Sequence, residues 1–509
     1  MKNLRITLCA ALALFLGQPT LIQAADAQSD TAAAVSSNAT FEQLSSLAQA
    51  GNAEAQYMLG KRYHDGQGVA QNDQQALFWT RKAAEQGNAK AQNNLGVIYN
   101  TGNGVAKDEK QAVYWFGKSS GQGLAIAQIN LGAMYLKGKG VAQDYKEALH
   151  WYQKAAEQGN AVAQNNLGVM YRDGKGVTQD AKQAIYWFGK SAQQGEAVAQ
   201  YNLGGMYYRG QGVAKDYQQA LVWLRKAADQ GHSDAQTSIG AMYAKGEGVP
   251  LDEKQALYWY QKAAAQGNAQ AQYNLAATYY QGLGVPQSYQ QAMAWSLKAA
   301  DQGNTNAQES IGAMYRDGLG VTQDYAQALA WYRKAATQGN VIAQTSLGLM
   351  YQNGTGVPQN YAQALTWFRK AAAQGDASAQ TSLGAMYASG QGVTQDYAQA
   401  LTWYRKAAAQ GYPAAQGNMG GMYAYGYGVT RDYAQAVYWY QKGAAQNDPA
   451  SQYALCGFYA IGLGVPQDKQ QAVTLCQKAA NHPDDGNPAT PETRQMAQQR
   501  LNQLQGSAQ

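Results

Sequence analysis

The side chains best suited to chemistry are few. Four histidines, His64, His150, His232 and His482, are the imidazoles available for a zinc site or general base catalysis. "GKSSG" at 117–121 matches the G-x-S-x-G pattern in which a sharp strand-to-helix turn exposes a nucleophilic serine, here Ser119. "GKS" at 117 and at 189 matches the end of a phosphate-cradling loop, but Ala112 and Ala184 stand where its first glycine belongs. No S-x-x-K occurs, which removes the serine acyl-enzyme motif. Cys456 and Cys476 lie near the carboxyl end, and the third cysteine, Cys9, sits in an apolar leader. What each of these can do depends on the elements that hold it.

Those elements are set by a strict period. Trp79, Trp115, Trp151, Trp187, Trp223, Trp259, Trp295, Trp331, Trp367, Trp403 and Trp439 are 36 residues apart and include every tryptophan in the chain. Tyr63 recurs at the same interval through Tyr459, giving twelve copies, and Gln56, Val69, Ala76 and Lys82 keep their own phases. A fixed period of this length marks a solenoid, whose repeats pack only on their neighbours. The chain therefore reads as one array, from 52–87 to 448–483.

Each repeat predicts two amphipathic helices. Ala55, Leu59 and Tyr63 share one face, and Ala76, Leu77, Trp79, Ala83 and Ala84 form a second stripe after the break. No segment alternates apolar and polar residues as a strand would. The break reads G-x-G-V, so a glycine ends helix A in the left-handed conformation. Helix B opens at Asp, Asn or Ser, such as Asp396, Asn72 and Ser288, and closes on Lys and Gly, which matches capping and helix dipole. The tryptophan ladder shares the stripe of Ala76 and Ala83, so it is read as core rather than as a sugar-stacking platform.

Within that array the chemical motifs weaken. The histidines fall at four different phases, so the array does not gather them into a metal site. Ser119 takes the phase of Ala83 late in helix B, with no preceding strand. The G-x-G-V turns lack a third glycine and follow helices, unlike a dinucleotide loop, and the acids stand mostly at capping phases. The expectation is no catalytic residue, no cofactor and no metal.

Residues 1–24 show Lys2 and Arg5, an apolar run from Ile6 to Leu16, and small residues at Ala24 to Ala27 around a cleavage site. They read as a secretory signal peptide, which sets the location as periplasmic or secreted. Removing two cations leaves a charge of +4 from the formal +6, too little over so long a surface to imply nucleic acid. No later apolar run approaches the length of a membrane span. Residues 25–39 are small and polar and read as a disordered linker. Thr40 and Gln43 form a capping box for an N-terminal capping helix over 40–51, and 484–509 hold a C-terminal capping helix and tail, with Ala497, Leu501 and Leu504 on one face. In an oxidising compartment Cys456 and Cys476 are expected to form a disulfide that replaces the missing tryptophan, since Leu475 sits where the twelfth repeat should have one.

The pattern A-x-A-Q-x-x-L-G-x-x-Y-x-x-G-x-G-V, followed by A-L-x-W-x-x-K-A-A-x-x-G, resembles the Sel-one-like repeat, a relative of the tetratricopeptide repeat, over residues 52–483. The resemblance implies an all-α, right-handed superhelical solenoid of helix pairs, with helix A on the concave side, acting as a protein-binding scaffold. The roles of such proteins range over host-cell interaction, envelope polymer export, signalling and assembly of membrane complexes. The cysteine-rich branch pairs two cysteines in nearly every repeat; this chain departs from it in all repeats but the last, so that branch's activities do not carry over.

On a helical wheel with Leu203 at zero, Tyr207 and Gln200 fall toward the core, whereas Tyr201 and Tyr208 face away. Tyr273 and Tyr280 repeat the pair, and Arg172 and Arg316 take the second of these phases. Arg172, Tyr201, Tyr208, Tyr273, Tyr280 and Arg316 are thus the expected partner-binding stripe, of residue types that dominate binding hot spots. The function expected is a non-enzymatic, monomeric scaffold for a protein or peptide. The alternatives are a virulence protein that binds a host factor, or an enzyme acting on cell-wall glycan through paired carboxylates.

Overall fold

The computed structural model describes residues 39–483 and 489–506. The expected leader, and the expected linker up to residue 38, lie outside these residues. Among the described residues every regular element is a helix. The first is Phe41–Gln49, opened by the Thr40 and Gln43 capping box, and the last is Ala489–Gly506, where Ala497 and Leu501 are buried. Between them each repeat supplies a helix A and a helix B, from Ala53–Asp65 and Asp73–Glu85 in repeat one to Pro449–Ile461 and Lys469–Ala480 in repeat twelve. The helices group into two compact bodies, one reaching Gln266 in repeat six and the other starting at Gly267.

Local chemistry explains the regular boundaries. In repeat four, helix A ends on Gly174 at φ 67°, and the Asp180 carboxylate accepts the backbone N–H groups of Lys182 and Gln183 to open helix B. A side chain at Gly176 would collide with the backbone of Tyr145 in the preceding repeat, so the second glycine of the turn permits close stacking. Helix A is itself capped by Asn in half of the repeats, as by Asn160, whose side chain accepts from Ala163 N–H at 3.1 Å.

Neighbouring repeats are joined by a ladder of glutamines. Gln92 donates to the carbonyl of Ala84 at the end of the previous helix B (3.0 Å) and accepts from Gln122 at 2.7 Å. The same pair recurs, for example as Gln200 with Gln230 at 2.8 Å and Gln344 with Gln374 at 2.9 Å. The helix A glutamine of each pair is buried and its helix B partner is exposed, so the bond satisfies an amide that water does not reach.

The tryptophan ladder departs from expectation. Only Trp79 and Trp367 are buried, each 9% exposed, and the others are half-buried at the edge of the neighbouring repeat's core. Most carry a lysine over the ring, as Lys226 does at 4.3 Å from Trp223 and Lys298 at 3.9 Å from Trp295. The fully buried side chain is the next residue, as in Phe116, Tyr152, Phe188, Tyr260, Tyr332 and Phe368. Each of these rings lies on a glycine of helix A, and a Cβ on Gly312 would come within 2.7 Å of the Tyr332 ring. Where the glycine phase holds Ala276 in repeat seven, the ring phase holds the small, buried Ser296.

Cys456 and Cys476 are bonded in repeat twelve, with their Cα atoms 5.5 Å apart. They occupy the glycine phase and the ring phase respectively. The bridge therefore takes the place of the glycine and ring contact, not of the missing tryptophan, whose phase Leu475 fills as a buried side chain.

Candidate binding surface

The six expected stripe residues do not share one environment. Tyr201 and Tyr273 are only 2% and 4% exposed, so the expectation that they face away from the protein is corrected. A wheel registers the contact of helix A with its own helix B, but the opposite face meets helix A of the following repeat. Tyr201 packs with Ile239 and Met242 of repeat six and stacks on His232 at 4.8 Å, and Tyr273 packs with Ile311 and Met314 of repeat eight. Tyr208 and Tyr280 are half-buried, each against the tyrosine that opens its own helix B, Tyr217 and Tyr289, at 5.3 and 5.2 Å. The Tyr208 hydroxyl donates to Glu247 at 2.5 Å, and burial together with this carboxylate pushes its pKa up. The two arginines sit in the last turn of their helices and also differ from each other.

In repeat four the Arg172 Nε donates to Asp173 Oδ1 at 2.8 Å, while Lys175 approaches Asp173 Oδ2 at 3.4 Å. Arg172 Nη1 is buried and has no acceptor among the described residues. In repeat five Arg209, which the helical wheel passed over, donates from Nε to Gln211 at 2.9 Å, and both its Nη atoms are buried without an acceptor. Burial, and then the charge of Arg172, push the Arg209 pKa down. Burial and then Asp234 push the Tyr201 pKa up, against the charges of Arg209 and Arg172.

Repeat eight carries the opposite arrangement. Arg316 grips Asp317 with two bonds, Nε to Oδ1 and Nη2 to Oδ2, both 2.8 Å, and this pairing raises its pKa. Beside it Glu309 is buried, and loss of solvent pushes its pKa up to about 7 against the opposing pull of Arg316. The sequence held a signal for Glu309: its phase is otherwise filled by Tyr, Asn, Ile, Thr and Gly, with no second acid.

The motif residues are accounted for structurally. The buried Ser119 hydroxyl donates to the carbonyl of Ala89 at 2.7 Å. His232 caps a helix by accepting from Ala235 N–H at 3.3 Å, and burial pushes its pKa down. No group of three His, Cys, Asp or Glu placed to hold a metal occurs among the described residues, nor does a helix long and apolar enough to cross a membrane.

Known proteins match this arrangement. The Sel1 repeat model fits twelve consecutive segments from 53–88 to 449–484, one residue later than the boundaries read from the period. The crystal structure of c5321, a protective antigen present in uropathogenic Escherichia coli strains and displaying an SLR fold, is 38% identical, with 92% of each chain covered and a TM-score of 0.64. A Sel1 repeat protein from Oxalobacter formigenes is 35% identical over 64% of this chain and 98% of its own, with a TM-score of 0.50. No curated protein matches the chain. Twelve end-to-end segments that fit one model, on helix pairs joined by the same glutamines and glycines, make this chain a member of the Sel1 repeat family, an all-α solenoid scaffold.

Proposed function

We propose that the chain is a non-catalytic scaffold of the bacterial envelope or exterior that binds a protein or peptide partner along the ends of its A helices. The observation that carries this reading is a contrast within each repeat. The phases of Gln56, Tyr63 and the Gly-x-Gly-Val turn stay constant in all twelve repeats, whereas the last residue of helix A changes from Lys137 to Asp173, Arg209 and Lys245, then to Asp317, Ser389, Tyr425 and Ile461. Packing does not require that variation, so it is left for recognition. The location draws on the leader-like residues 1–24, the cysteine bridge and the likeness to c5321, a protective antigen. An antigen meets its host, so the same likeness favours a host factor as the partner.

The test is affinity capture with the mature chain from native envelope extract and, separately, from host fluids. Enrichment of one protein from either source, lost on substitution of last-turn residues, is the expected result. Release of sugars from purified cell-wall material by the chain would replace the scaffold reading with the glycan-acting enzyme.

A further inference from the structure

The last turns of helix A in repeats three to six form a basic row: Lys137, Arg172, Arg209 and Lys245, with Lys139 and Lys175 in the adjoining turns. Cations at helix ends are ordinarily explained by the helix dipole, which accounts for solvated charges. It does not account for buried ones. Arg172 Nη1 and Arg209 Nη1 and Nη2 are three guanidinium nitrogens shielded from water, with no acceptor among the described residues. A buried charged donor left unmade costs more than a neutral one, and two guanidinium groups in one neighbourhood add repulsion.

The nearby acids Asp173, Asp234 and Glu247 accept from none of these three nitrogens. Asp173 spends one oxygen on Arg172 Nε and faces Lys175 with the other, and Glu247 accepts from Tyr208 and, at 3.4 Å, from Tyr217. Arg172 and Arg209 lie in the last turns of the A helices of adjacent repeats, and a guanidinium fork matches the planar, two-oxygen geometry of a carboxylate. Arg172 keeps 11% of its side-chain surface exposed, and Tyr208 is half-buried.

We propose that Arg172 and Arg209 bind a carboxylate of an acidic polypeptide partner, which the flanking Lys137, Lys139, Lys175 and Lys245 hold along the row. This deepens the scaffold reading above and rests on it. The carboxylate can be a Glu or Asp side chain or a chain terminus. A side-chain source is favoured by the length of the row, because further acids would meet the flanking lysines.

The test is fluorescence anisotropy of a labelled, C-terminally amidated oligoglutamate with the full mature chain, against an oligoglutamine control. Expected is salt-sensitive binding of the glutamate peptide only, weakened about tenfold or more by Arg172→Gln with Arg209→Gln. Lys175→Leu, which leaves Asp173 to Arg172 alone, is expected to weaken binding by about threefold without touching either arginine. The arginine variant is also expected to melt no lower than the parent, because it removes unpaired buried charge. Binding by a free-ended peptide but not the amidated one would assign the site to a terminal carboxylate and support the proposal. No binding, equal binding by the double variant, or equally tight binding of polyphosphate that ignores both variants would overturn it. If a captured partner binds the double variant as it binds the parent, the scaffold reading stands and this site falls.

Discussion

Repeats four and eight are written in the same words and end in different chemistry. Both contain Met-Tyr-Arg-Asp-Gly, at 170–174 and 314–318, and then Val-Thr-Gln-Asp, at 177–180 and 321–324. Their turns agree in detail: Gln179 donates to the Arg172 carbonyl and Gln323 to the Arg316 carbonyl, each at 2.7 Å. Yet Arg316 is paired with both oxygens of Asp317, while Arg172 reaches one oxygen of Asp173 and keeps a buried nitrogen without an acceptor. The difference between the two turns is Lys175, which faces the second oxygen of Asp173, against Leu319, which does not compete. With a different residue three positions away, the same arginine makes one bond to its aspartate in repeat four and two in repeat eight. The backbone is common property, and the charge state of the rim is set by its neighbours.

The largest expected effect tests whether the two repeats differ below the rim. Phe188→Ala and Tyr332→Ala each remove a fully buried ring and should lose about 3 to 5 kcal/mol in chemical denaturation, with the adjacent Trp187→Ala and Trp331→Ala losing clearly less. A loss at one ring twice that at the other would extend the contrast into the core.

Next comes pH. Folding raises the Glu309 pKa from 4.5 to about 7, so the folded chain holds that proton more tightly than the unfolded one. Its stabilising contribution is full below pH 4.5 and is lost as pH rises through about 7, a decline of at most about 3 kcal/mol. Repeat four has Asn165 at that phase and no such dependence. Urea denaturation between pH 4.5 and pH 8 should therefore flatten on Glu309→Gln, and an unchanged slope would remove Glu309 as its source.

Opposite signs are expected for two arginine substitutions. Arg209→Gln relieves unpaired buried donors and should stabilise by about 1 kcal/mol, whereas Arg316→Gln strands Asp317 and should destabilise by about 1 to 2 kcal/mol. Matching signs would erase the distinction between the unpaired donors of repeat five and the paired arginine of repeat eight. The smallest effect is that of Leu319→Lys, which copies the competing cation into repeat eight. It should change stability by less than about 1 kcal/mol but shift the Arg316 side-chain Nε resonance, and a resonance that stays put would acquit Lys175.

The period, the helix pair, the turns and the caps were legible because each follows from local rules repeated twelve times. The binding surface was less so. Helical periodicity records one buried face, but each A helix between two others has a second one, so a wheel places Tyr201 and Tyr273 in solvent although they are buried. Arg209 and Glu309 escaped because their importance lies in what surrounds them, which a position-by-position reading does not carry. The disulfide was legible as a pair, but its counterpart was not. Gly312 and Tyr332 are separated by 20 residues, as are Cys456 and Cys476, so the spacing that identifies the bridge with the glycine and ring contact was present in the sequence.

The glutamine ladder has an evolutionary consequence. The bonds from Gln92 to Ala84 and from Gln122 to Gln92 use neutral groups that recur from copy to copy, so the end of one repeat can meet the beginning of almost any other. Recombination between misaligned copies would then add or delete 36 residues without creating a mismatched junction. The number of repeats could then change without altering the last turn of any helix A that remains. A surface of this kind changes its reach by duplication and its specificity by substitution, and neither process obstructs the other.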